Sequence, residues 1–148
     1  MDLETILAAK DSIVDEAAAA LERAHLKHYA ATDTAERRAR LLLMLELLAE
    51  SVRVRDLVPV IDFAERVATE RFHAGWDIVE VQTALNVLEE TIWNRVVAGV
   101  PKDDLAEALG LVTTVVGAGK DALARTYVSL ATEKHVPTLD LNALFSAG

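Results

Sequence analysis

The segment from Glu70 to Val97 leaves the chain little choice: one helix ends, a tight Gly-Trp turn follows, and a second, strongly amphipathic helix begins. Glycine enters the left-handed conformation without a Cβ penalty, so His73-Ala74-Gly75-Trp76 closes the first helix with Gly75 just beyond its end. Asp77 follows as an N-cap, and Glu80 three residues later completes the pattern of a capping box. Ile78, Val81, Leu85, Leu88, Ile92 and Val96 then recur on one helical face. No catalytic group sits at the centre of this unit. It predicts packing, and therefore a sensing or interaction domain before any enzyme.

The same period extends over most of the chain and predicts an all-α fold of about five long helices. The first covers Leu3 to Tyr29, with a slack pattern near Lys10 to Ser12. Asp33 and Glu36 make a second capping box and open a helix over Thr34 to Val52. Its middle, Leu41 to Leu45, is apolar nearly all round, which predicts a central buried helix. The third starts after Asp56 with Pro59 in its first turn, where a missing N–H costs little. It carries Leu57, Val60, Ile61, Ala64, Val67, Ala68 and Phe72 on one side. The fourth runs from Ile78 to Ala98, and Gly99 stops it. The fifth continues from Asp103 or Asp104 to Glu133 on the stripe Leu105, Leu109, Val112, Val116, Leu123, Tyr127 and Leu130. Gly110, Gly117 and Gly119 mark where it would kink or break. No segment alternates as a strand does, so no sheet is expected. The arrangement fits a globin-like or orthogonal helical bundle, with a helical domain over 1–134 and a tail over 135–148 that opens after Pro137 into scattered apolar residues.

Composition limits the function. The 148 residues suit one domain, 52% of them are hydrophobic, and the absence of cysteine excludes disulfides and thiolate metal sites. That absence suits a reducing, cytoplasmic setting. Met1 to Ser12 lacks the basic start and apolar run of a signal peptide. The longest apolar run is too short to span a membrane. A net charge of −9 repels phosphate backbones, so nucleic acid is not an expected partner, and with no spanning run neither is a membrane.

Two constellations invite chemistry. Glu22 with His25 and Glu70 with His73 repeat the Glu-x-x-His spacing of di-iron bundles. His73, however, falls roughly opposite the Ala64-Val67-Phe72 stripe, so helix geometry turns this pair away from a bundle interior. A haem would need an axial histidine in an apolar wall, and His25 or His28 would have to serve. With few aromatic residues to pack a porphyrin, no cofactor and no metal is expected. Gly117-Ala118-Gly119-Lys120 lacks the spacing and preceding strand of a phosphate loop. No nucleophile motif is present, and Trp76 and Trp93 read as core.

Arg71-Phe72-His73-Ala74-Gly75-Trp76-Asp77-Ile78-Val79-Glu80-Val81, followed by Leu85, Leu88 and Ile92-Trp93, resembles the N-terminal domain family of RsbR-type RsbT co-antagonists. The resemblance covers about Leu3 to Leu130. It implies a globin-like fold without haem, a homodimer, and a non-catalytic sensory role in stress signalling through a protein partner. The alternative is a small-molecule or haem-binding sensor. No output domain follows Gly148, so a stand-alone version or an excised fragment is expected. The family supplies no catalytic residues.

For the dimer, the fifth helix offers a second face: Leu111, Val115, Ala118, Ala122, Thr126 and Ser129. These residues become small toward the C-terminal half, which would let another helix approach. The competing expectation is that the first helix of the same chain covers that face. Phe72, Leu85, Leu88 and Trp93 are expected to be largely buried, and Gly75 to adopt a positive φ.

Overall fold

A computed structural model of the chain describes residues 1–135. Among them are seven helices and no strand: α1 (Leu3–Ala8), α2 (Lys10–Arg23), α3 (Lys27–Ala31), α4 (Thr34–Val54), α5 (Val58–His73), α6 (Ile78–Gly99) and α7 (Lys102–His135). The chain is an all-α bundle, and no described helix is long and apolar enough to cross a membrane. Apart from His135, the expected tail over 135–148 lies outside the described residues.

The expected first helix is three. Ala9 leaves helical geometry at ψ 52°, which separates α1 from α2. His25, at φ 52°, ends α2 in the left-handed region without the help of a glycine. Asp2, Asp33 and Asp77 each accept a backbone N–H at the start of α1, α4 and α6. Hydrogen bonding from Thr5 holds the exposed Asp2 carboxyl below its usual range. In both expected capping boxes the glutamate goes elsewhere. Glu36 pairs with Arg40, and Glu80 reaches His28.

α5 ends as the sequence required. The Trp76 N–H donates to the Arg71 carbonyl at 2.9 Å and the Gly75 N–H to that of Phe72 at 3.1 Å, with Gly75 at φ +83°. α6 and α7 then run antiparallel. Trp93 Nε1 donates to Thr113 Oγ1, while Lys120 meets Glu89 further along. α2 packs on α4 and α6, and α5 packs on α4 and most extensively on α7. Ile13, Leu41, Leu45, Leu88, Ile92 and Leu123 are sealed at the centre.

α7 passes Gly110, Gly117 and Gly119 unbroken. Gly119 has a packing reason: a Cβ there would meet Val60 Cγ2 of α5 at 3.2 Å, so its absence admits the close approach of the two helices. Two other expectations fail. α4 is not buried all round, because Leu43 is 48% exposed, and Trp93 is 39% exposed. Leu85 and Leu88 are buried as expected, whereas Phe72 is only half-buried.

Ser51 is buried in α4, and its Oγ accepts the Val60 N–H of α5 at 3.0 Å. This donor belongs to the first turn of α5, where the helix itself supplies no acceptor. Ser51→Ala orphans a buried N–H and is expected to cost about 1–2 kcal/mol in urea unfolding. An unchanged midpoint would contradict it.

Candidate functional site

The Gly75 turn places Trp76 where four helices meet. His28 of α3 stacks on its ring at 5.2 Å, and the guanidinium carbons of Arg40 (α4) and Arg71 (α5) lie over the ring at 5.1 and 4.9 Å. Arginine over an indole face is favoured by the ring quadrupole, more so away from water. The Tyr127 hydroxyl of α7 donates to the Trp76 carbonyl at 3.2 Å. Beneath this cluster Glu80, in the first turn of α6, is buried. It accepts the His28 N–H at 2.7 Å through Oε1, and its Oε2 lies 2.5 Å from His28 Nδ1. Glu80 thus fastens the short α3 to the body.

Arg71 is the unexpected member. Its side chain is 8% exposed, with one guanidinium nitrogen paired to Glu70 and Nε buried without a partner. Arg40 gives one nitrogen to Glu36 at 2.6 Å, while its other terminal nitrogen is likewise buried and unpaired. Both arginines line a groove of about 510 Å³ between α4 and α5, walled by Leu43, Met44 and Phe63 and rimmed by Arg66.

A second feature lies on the opposite pairing. From Ala108 to Gly119 α7 carries no charged residue, although the whole chain has a net charge of −9. Gly110, Thr113, Thr114 and Gly117 of this stretch face outward, and nothing lies within 4 Å of where a Cβ would stand on Gly110 or Gly117. Trp93 and the 56%-exposed Val97 of α6 border it. An exposed aromatic beside a strip without charge is in keeping with the core of an interface.

The dimer residues expected from sequence lie elsewhere. Val115 and Ala122 are buried within the single chain; Leu111, Ala118 and Thr126 are half-buried, and Ser129 is exposed. α5 comes close to this face, with Glu65 beside Ala122 and Thr126, while Leu111 sits near Leu3 and Val52. α5 thus borders the Ala122–Thr126 end of this face, and α1, the start of the expected first helix, borders its Leu111 end. Periodicity revealed two apolar faces on α7 but not which neighbour would claim each.

Glu70 and His73 are exposed, as is His25. Among the described residues no three His, Asp or Glu side chains converge where a metal ion could be held. The candidate haem ligand His28 is engaged with Glu80 and Trp76. No protein-family model matches the chain, and no curated protein or solved structure matches it significantly.

Proposed function

We propose that the chain is a cytoplasmic, non-catalytic regulatory domain that works by protein–protein contact, first of all with a second copy of itself, in the manner of the stress-signalling sensor domains it resembles. The observation that carries this reading is the charge-free outer strip of α7 with Trp93 and Val97 at its edge. Glycines and threonines let a second helix approach closely, and the aromatic neighbour supplies contact area. A twofold arrangement sets the strip against its own copy, so one introduced charge enters the interface twice. A signalling partner would use the same strip or the ends of the bundle left free by it.

Val97 is more than half exposed, so Val97→Glu leaves the fold undisturbed. Light scattering is expected to give a dimer for the natural protein at about 50 μM, within reach of a micromolar dissociation constant, and a monomer for the variant, with equal helicity by circular dichroism. A natural protein that is monomeric there, or a variant that stays dimeric, removes the reading.

A further inference from the structure

We propose that the α4–α5 groove is a binding site for a small organic monocarboxylate with an apolar body, its carboxylate held by Arg40 and Arg71. This goes beyond the self-association proposed above and does not rest on it, since the groove lies between α4 and α5 and the strip on α6 and α7.

Three observations converge. The first is unspent hydrogen-bonding capacity. A buried N–H without an acceptor costs free energy, more so on a charged group, and here two guanidiniums that line one groove each carry such a nitrogen. Arg71 is over nine-tenths buried by its side chain, so bulk water has little access to it. The second is charge. Arg40, Arg66 and Arg71 against Glu36 and Glu70 leave the groove at +1 (three minus two), in a chain whose net charge is −9. A monoanion neutralises that excess, whereas a phosphate monoester brings about −1.5 to −2 and overshoots it. Guanidinium geometry also matches a planar carboxylate. The third is the wall. Leu43, Met44 and Phe63 form an apolar side, and among the described residues Leu43 stays 48% exposed on α4. A volume of about 510 Å³ lies within the range of small-molecule pockets.

The unpaired nitrogens are sealed from water at present. The carboxylate therefore meets them by a turn of each guanidinium toward the groove, and that turn lifts it from the Trp76 ring. Trp76 becomes the reporter of occupancy.

The test uses octanoate as the probe, with 1-octanol and inorganic phosphate beside it, on the full chain carrying Trp93→Phe so that Trp76 alone emits. Octanoate is expected to change Trp76 emission saturably with a dissociation constant below about 1 mM. Octanol and phosphate should each bind at least tenfold more weakly. Arg71→Met and Arg40→Met should each weaken octanoate at least tenfold. Arg53→Met, about 20 Å further along α4 and paired on the surface with Glu50, should not. Should Arg71→Met fail to fold, Arg40→Met, whose side chain is a quarter exposed, decides with the octanol comparison. Octanol binding as well as octanoate would reduce the groove to an apolar crevice and overturn the proposal. So would full octanoate affinity in Arg40→Met, tighter binding of phosphate, or the absence of saturation.

Discussion

Leu88→Ala is expected to lower the stability of this domain by about 2–5 kcal/mol, the largest effect of any single truncation considered. Leu88 is 0% exposed on α6, the helix that packs against α2 on one side and α7 on the other. Removal of its isobutyl group loses the transfer free energy and leaves a cavity that helices on two sides cannot close together. In a thermal melt this corresponds to a midpoint lower by roughly 5–15 °C for a chain of this size. Leu43→Ala serves as the comparison, because Leu43 is nearly half exposed. It should cost less than about 1 kcal/mol. Equal losses in the two variants would mean that the inner face of the bundle is wrongly placed.

Gly75→Val is expected to cost about 2–3 kcal/mol, toward the upper end for a non-glycine residue held in the left-handed region. Space is not the issue, since nothing lies within 4 Å of where the Cβ would stand. The penalty is in the backbone: φ +83° suits glycine and is a severe outlier for a β-branched residue. Relief of that strain would break the paired hydrogen bonds that end α5 and would move Trp76 away from Arg40 and Arg71. Gly75→Asn should lose distinctly less, because asparagine visits this region more readily. Urea unfolding ranks the three proteins; a valine variant as stable as the asparagine one would refute the backbone argument.

This turn shows what was legible in the sequence and why. Its requirement is local, since one residue type meets it, and α5, α6 and most of α7 were readable on either side. The apolar stripe of α6 was right from Val81 to Val96 because it is long and regular. What escaped the sequence was non-local. Glu80 has the spacing of a capping glutamate, yet a histidine 52 residues earlier takes it. Arg71 scores as polar in any periodicity count, but its long stem and the Trp76 ring let it lie buried. Trp93 reads as core because it is an aromatic at helical spacing, although its α6 position faces the strip. Ala9 and His25 break helices without glycine or proline, so no residue type announced them. The groove needed α4 and α5 side by side, and no spacing within either helix encodes that.

The unbroken course of α7 has a mechanical consequence. Its 34 residues, at about 1.5 Å each, make a rod about 51 Å long. A compact body of 148 residues has a radius of gyration of about 15 Å, equivalent to a sphere about 38 Å across. The rod is longer than such a sphere is wide, and it stays tied to the body far along its length: Trp93 meets it at Thr113, and Tyr127, itself buried, donates to the Trp76 carbonyl. It therefore acts as a spine: those two ties stand about 21 Å apart along it, given the rise per residue of a helix. The close approach of Val60 and Gly119 lies between them, so a bulkier side chain at Gly119 would press on both ties through one rigid element.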